Sequence, residues 1–231
     1  MVAVRRALVL GLLAAGCGSP ETATPPGSCA DVPEPATGEG TYYDADGTGS
    51  CSFDASPGDL LVAAMNAPDY GAATWCGACL EVTGPMGTVV VRVVDQCPGC
   101  AHGDLDLSRE AFEMISPLAA GRVPITWHAV ACEVSGPIAY HFKDGANAYW
   151  TAIQIRDHRY PIARVEARTG DAWQPIERVE YNYFVESDGL GAGPYALRVT
   201  DTRGHVVEDA AIELGDDVTR TGAEQFPLCQ M

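Results

Sequence analysis

The stretch VVVRVVDQCPGCAHGDLDLS, residues 89–108, brings three kinds of chemistry together. A β-branched run ends in Asp95, Cys97-Pro98-Gly99-Cys100 follows, and Asp106 stands two residues before Ser108, a residue type that caps helices. The valine run reads as a strand, and REAFEMIS after Ser108 reads as a short helix. The Cys-x-x-Cys admits a metal knuckle, a redox dithiol or a structural bridge. The two aspartates admit an acid–base pair facing a polymer. The rest of the chain separates these readings.

The compartment comes from MVAVRRALVLGLLAAGC, with Arg5 and Arg6, a short apolar run and small residues before Cys17. This is an export signal, too short to span a bilayer. Leu13-Ala14-Ala15-Gly16-Cys17 resembles a bacterial lipoprotein cleavage box, so residues 1–17 form a lipoprotein-type signal peptide and Cys17 is its lipidation site; ordinary signal cleavage nearby is the alternative. Either route gives an exported protein, cell-surface or outer-membrane-anchored or secreted, that meets a membrane only through an N-terminal lipid. Residues 18–39 are Pro-, Thr- and acid-rich without an apolar period and read as a stiff, disordered spacer. Residues 40–136 and 137–231 then form two domains, with the boundary at Ser135-Gly136-Pro137.

Charge limits the partners. Arg5 and Arg6 leave with the leader, so 12 of the 14 basic residues face 31 acidic ones, a net of −19 over residues 17–231. Such a chain does not bind nucleic acid and is repelled by acidic polymers, which points to a neutral partner. Nothing in the pattern asks for self-association, and a monomer is expected.

Without Cys17, eight cysteines remain: Cys29, Cys51, Cys76, Cys79, Cys97, Cys100, Cys132 and Cys229. In an exported protein an even count argues for disulfides. Cys76-x2-Cys79-x17-Cys97-x2-Cys100 also falls within zinc-ribbon spacing. The oxidising compartment, the interleaved cysteines and the strand pair between Cys79 and Cys97 weigh against a metal. No helix starts at Cys97 to stabilise a thiolate, which weighs against redox catalysis. Structural disulfides are expected, with no metal and no cofactor. Spacing leaves their pairing open; Cys29 with Cys229 is the pairing suggested by their places near the two ends of the folded part.

Most of the remaining pattern is strand. LEVTGPMGTVVVRVVD reads as a hairpin around Gly84-Pro85-Met86-Gly87, and VPITWHAVACEV as another strand with Trp127 in the core. PGDLLVAAMN reads as a second short helix. Past residue 137 come IAYHF, YWTAIQIR, IARVEAR, PIERVEYNYFV, YALRVTD and VVEDAAIEL, separated by turn residues, as in a β-sandwich.

GTYYDADGTGSCSF (40–53), WCGACLEV (75–82), VVDQCPGCAHGDLDLSREAF (93–112), FKDGANAYWTAIQIRDHRYPIARVE (142–166) and EYNYF (180–184) follow one another in the order of a known family. Over nearly the whole folded part, the chain resembles the microbial expansins. The resemblance implies an all-β protein: a six-stranded double-psi β-barrel with short helices, then an immunoglobulin-like β-sandwich that binds cellulose. It also implies loosening of plant cell walls without cutting them, hence no enzyme in the hydrolytic sense. Asp106 matches the aspartate that resembles the proton donor of the related family 45 endoglucanases, and Asp95 matches a second groove aspartate. Thr41 and Tyr42 match residues of the groove floor, and Trp75 is expected to line it. In the second domain Tyr149, Trp150 and Tyr181 match a linear aromatic platform for the flat faces of sugars, with Lys143 as a nearby basic contact. Cys97 stands where bacterial relatives often carry a groove tyrosine.

Two alternatives remain beside non-lytic loosening of cellulose and neutral β-glucans. A weak endoglucanase needs a base carboxylate opposite Asp106. Asp44 and Asp46 lie within a residue or two of the critical place, but an offset of one residue on a strand reverses the face, so Asp44 is expected in solvent and Asp46 in a turn before Gly47. The other alternative is a surface adhesin that holds cellulose without loosening it.

Overall fold

The structure, a computed structural model, describes residues 34–229. The leader, residues 18–33, Cys17 and Cys29 lie outside the described residues, and with them the lipidation site and the Cys29 pairing.

The valine run and its neighbours build a closed barrel. β1 (Ala36–Tyr43), β2 (Val62–Asn66), β3 (Cys79–Gly84), β4 (Gly87–Cys97), β5 (Leu105–Ser108) and β6 (Val123–Val130) pair in the order β1-β5-β2-β4-β3-β6. β1–β5 and β2–β4 run parallel and the other neighbours antiparallel. Leu80, Val82, Val91, Val93, Leu105, Leu107 and Ile125 fill the interior, and closure leaves no free edge. The β3–β4 hairpin turns with Gly84 opposite Gly87, as the Gly-Pro-Met-Gly signal predicts. Helix α1 (Ala67–Tyr70) follows β2, and α2 (Arg109–Ile115) is capped by the Ser108 hydroxyl, which accepts from the Ala111 amide.

Eight strands make the second domain: β7 (Ala139–Phe142), β8 (Thr151–Arg156), β9 (Ile162–Thr169), β10 (Ala172–Arg178), β11 (Phe184–Glu186), β12 (Tyr195–Asp201), β13 (Val206–Ile212) and β14 (Val218–Thr221). Their order is β13-β12-β9-β10-β11-β8-β7-β14, with β10 bonded to both β9 and β11 at the fold between two layers. Tyr140, Phe142, Ile153 and Ile155 meet Val165, Ala167, Leu197 and Val199 in the sandwich core.

Four expectations need correction. The barrel begins at Ala36, not 40, because residues 36–40 pair with β6 from Trp127 to Val123. Gly38 is needed there: a Cβ would stand 2.3 Å from the Gly103 carbonyl oxygen, and the paired glycines of this strand read as linker. PGDLLVAAMN is not a helix. Val62–Asn66 is a strand buried on both faces beside β4, and a short apolar run of that kind shows no helical or strand period. PIERVEYNYFV is not one strand, since Asn182 adopts φ +63° and turns the chain between β10 and β11. Finally, the short strand β14 pairs with β7 although Val218–Thr221 lacks any run of apolar residues.

Between described residues, disulfides join Cys51–Cys76, Cys79–Cys132 and Cys97–Cys100. The four cysteines with zinc-ribbon spacing are thereby divided among three bridges. The Cys51 loop also joins the domains. Its carbonyl oxygen accepts from Gln154 Nε2 at 2.9 Å and Asn182 Nδ2 at 3.1 Å, both buried. Arg156 reaches Asp54 at 2.7 Å, and the Tyr70 hydroxyl donates to the Glu180 carbonyl at 3.0 Å.

Candidate functional site

β1 and β5 lie side by side in parallel, with Thr41 opposite Asp106. The Thr41 hydroxyl donates to Asp106 Oδ1 at 2.6 Å. Asp106 is half-buried, and burial pushes its pKa above the ordinary carboxylate value; the Thr41 hydrogen bond and the Arg122 charge work against this, and the Asp95 charge adds to it. The result is a carboxyl group that holds its proton more tightly than a solvated aspartate.

Asp95 lies two residues before the end of β4, under the loop that carries Cys51. Its Oδ1 accepts the Ser50 amide at 2.6 Å and the Gln96 amide at 2.8 Å. Gly49 lets the loop come that close, because a Cβ there would stand 2.4 Å from the Asp95 side chain. Asp95 therefore anchors a loop and also flanks Asp106 electrostatically.

The strand period decides what else joins them. Thr41 and Tyr43 share one face of β1 and Tyr42 takes the other. Tyr42 packs on Phe112 at 5.0 Å with the Arg109 guanidinium 4.9 Å above its ring, so the structure places it against α2 and not on the groove floor. Tyr43 replaces it. Its hydroxyl is buried without a hydrogen-bond partner among the described residues. Burial holds the phenol far above its usual range, and the charges of Asp95, Asp106 and Asp46 push the same way, so it stays protonated. Sequence reading missed Tyr43, although a strict alternation from Thr41 identifies it.

Beside Thr41 a cleft of about 380 Å³ continues the groove, lined by Glu39, Asp104, Arg122 and the Cys97–Cys100 loop. Arg122 is paired with Glu39 at 2.6 Å. Trp75 is half-buried edge-on against Trp127, at 5.9 Å and 86°, so part of its ring belongs to the barrel wall. Trp127 is core, with its indole N–H donating to the Gly103 carbonyl at 2.8 Å.

Neither N-terminal carboxylate faces Asp106 as a partner. Asp44 is exposed and pairs with Arg109. Asp46 is exposed and accepts from the Thr48 amide and hydroxyl, capping the turn through Gly47 at φ +94°.

On the sandwich, Asn147 and Trp150 close a tight turn with reciprocal backbone bonds of 2.8 and 3.3 Å, and the Asn147 side chain accepts the Tyr149 amide. The strand begins only at Thr151, so the alternation that would send Tyr149 and Trp150 to opposite faces does not apply. Tyr149 is 83% exposed and Trp150 half-buried. Gly189, at φ +73°, braces the turn, since a Cβ would strike the Ala148 carbonyl at 2.2 Å. Tyr181, 40% exposed, rests on Tyr183 at 5.8 Å, and Lys143 Nζ lies 5.5 Å above the Tyr183 ring. Asn182, next to Tyr181, is bonded to the same Cys51 carbonyl whose loop ends on Asp95. Groove and aromatic surface are thus joined through one short loop.

Residues 62–127 match the domain family described as lytic transglycolase. The chain is 37% identical over 201 residues to Expansin-YoaJ of Bacillus subtilis (strain 168), covering 83% of this chain and 85% of that protein. Expansin-like protein 1 of Dictyostelium discoideum is 28% identical over 181 residues, covering 72% of this chain and 63% of that one. Among solved structures, an Asp-to-Asn mutant of the Clavibacter michiganensis expansin in complex with cellohexaose has a TM-score of 0.79 at 34% identity, covering 84% of this chain and 98% of that one.

Proposed function

This chain belongs to the bacterial expansins, and on that premise we propose that it loosens plant cell walls without cleaving them, binding cellulose and neutral β-glucans through its acidic groove and aromatic surface. The observation that carries this reading is the company of Asp106. It has a protonation-prone carboxyl held by Thr41, while Asp44 and Asp46 are engaged with Arg109 and Thr48. Glycoside hydrolysis needs a second carboxylate set across the scissile bond to activate water or attack. Among the described residues Asp44 and Asp46 are engaged elsewhere and Asp95 anchors a loop through the Ser50 and Gln96 amides, which supports a groove that works without a base.

The groove then acts by hydrogen-bond exchange. Asp106 and Thr41 take glucan hydroxyls that otherwise bond to a neighbouring chain. Each exchange is worth only about 0.5–1.5 kcal/mol, so several along the groove must act together while the Tyr149–Trp150–Tyr181 surface holds the chain. The cellohexaose bound by the Clavibacter protein supports a β-glucan as the occupant. The −19 charge supports a neutral polymer, recognised by stacking and hydroxyl contacts. The leader and the oxidised cysteines support export, with Cys17 as the lipid-bearing residue.

The test is creep of a heat-inactivated wall strip under constant load, with reducing ends assayed in the same bath. Extension without new reducing ends is expected, and Asp106→Asn should abolish extension while cellulose pull-down persists. New reducing ends would establish a lytic enzyme. Extension untouched by Asp106→Asn would remove the groove from the mechanism.

A further inference from the structure

The groove is not the one sizeable cavity among the described residues. A cleft of about 1010 Å³ lies between the outer wall of the barrel and the sandwich, and it shares no lining residue with the groove cleft. Its barrel side presents apolar surface to solvent: Leu61 is 37% and Val90 44% exposed, beside Phe53. Two cations line it and both are engaged, Arg92 with Asp59 at 3.5 Å and Arg156 with Asp54 at 2.7 Å. Glu133 and Asp157 also line it, and among the described residues neither carboxylate has a cationic partner. A second, independent feature is His158, 3% exposed and packed against Gly77. Its Nδ1 lies 2.8 Å from the Tyr160 carbonyl oxygen, which can only accept, so Nδ1 carries the proton and Nε2 a lone pair. Burial holds the ring neutral, at a pKa of about 4, and Nε2 has no hydrogen-bond partner among the described residues.

The Glu133 and Asp157 carboxylates and the His158 lone pair are acceptors, against one buried donor of the cleft without a partner among the described residues, Arg156 Nη2, whose guanidinium is held by Asp54 and Gln154. The carboxylates outnumber the cations, and the walls offer aromatic and aliphatic surface. We infer that the interdomain cleft binds a primary ammonium carried on a stem with exposed C–H surface, as in a glucosamine residue or a free polyamine. The ammonium supplies donors to the carboxylates and the His158 lone pair, and the stem covers Leu61, Val90 and Phe53. Anions are excluded by the unpaired carboxylates, and a neutral sugar leaves them without a counter-charge.

Calorimetric titration of the whole protein with a glucosamine trimer, its N-acetylated form, cellotriose and spermidine tests this. The glucosamine trimer is expected to bind at one site and the N-acetylated form and cellotriose at least fivefold more weakly at that site. Glu133→Gln with Asp157→Asn should weaken the trimer at least fivefold. Glu110→Gln with Glu113→Gln on α2, an equal change of charge, should leave it unchanged. The ¹⁵N resonance of His158 Nε2 should move on binding. Spermidine binding more tightly than the trimer identifies a free polyamine as the occupant, and weaker binding identifies an amino-sugar polymer; either supports the site. Equal affinity for cellotriose, equal loss in the α2 pair or an unmoved His158 resonance would overturn it.

Discussion

In the barrel, Asp106 is half-buried, bonded to Thr41 and flanked by a second carboxylate and a phenol without a partner among the described residues; in the sandwich, Tyr149 stands 83% exposed on a turn and Tyr181 rests on its neighbour Tyr183. On the function proposed above, the first arrangement would read hydroxyl positions, and polar groups do so only when held in place at a cost in desolvation. The second would read flat C–H faces, which needs area alone. The proposal therefore makes one site strained by its own function and the other not. That difference has consequences that can be measured.

The largest expected effect lies on the exposed side. Tyr149→Ala with Trp150→Ala removes two stacking rings, about 3 kcal/mol together and on the order of 100-fold in cellulose affinity. Tyr149→Ala alone should leave thermal stability unchanged, as its ring is mostly in solvent. Pull-down on microcrystalline cellulose and a melting curve check both. Retained affinity in the double variant would transfer anchoring to the groove.

Next is the joint between the two regions. Gln154→Ala leaves the buried Cys51 carbonyl with Asn182 as its remaining side-chain donor, for a loss of about 1–3 kcal/mol in stability. Calorimetry of the wild-type protein is expected to show one transition and of Gln154→Ala two, if the Cys51 loop couples the domains. Tyr43→Phe works in the other direction. It deletes a buried hydroxyl that bonds to nothing among the described residues, so it should stabilise the protein by about 1 kcal/mol, read as a rise in urea midpoint at constant slope.

How much of this was legible in the sequence follows the same division. The valine run, the Gly-Pro-Met-Gly hairpin and the Ser108 cap are local signals, and the barrel strands and α2 formed where they pointed. Asp95 and Asp106 were legible as a pair because one stands near the end of the valine run and the other just past the Cys-x-x-Cys loop, within β5. Local signals failed where long-range pairing decided. Val62–Asn66 became a strand through β4 and β5, and Ala36–Glu39 became a strand through β6. The exchange of Tyr42 for Tyr43 is a matter of face, fixed by which side of β1 meets Asp106. Asn182 breaks an apparent strand by a left-handed backbone angle that Asn tolerates and no apolar pattern announces.

The smallest effect separates the two regions most sharply. Burial raises the pKa of Asp106 in the folded state above its unfolded value. The fold therefore binds that proton more tightly than the unfolded chain does. The resulting stabilisation is full at pH below the ordinary carboxylate range and is lost as pH rises through the raised folded value, because there the charged form must stay half-buried. Asn at 106 can still accept the Thr41 hydroxyl and carries no charge to desolvate. Asp106→Asn should accordingly raise the melting temperature at neutral pH by about 1–3 °C and lose that advantage below the carboxylate range. Scanning calorimetry at the two pH values reads the difference directly. The same substitution is expected to abolish wall extension, so loss of loosening would arrive with a gain in stability, whereas Tyr149→Ala would lose affinity with no gain. An Asp106→Asn protein less stable at neutral pH would mean that the carboxylate holds the barrel together, and that the groove is no more strained than the surface beside it.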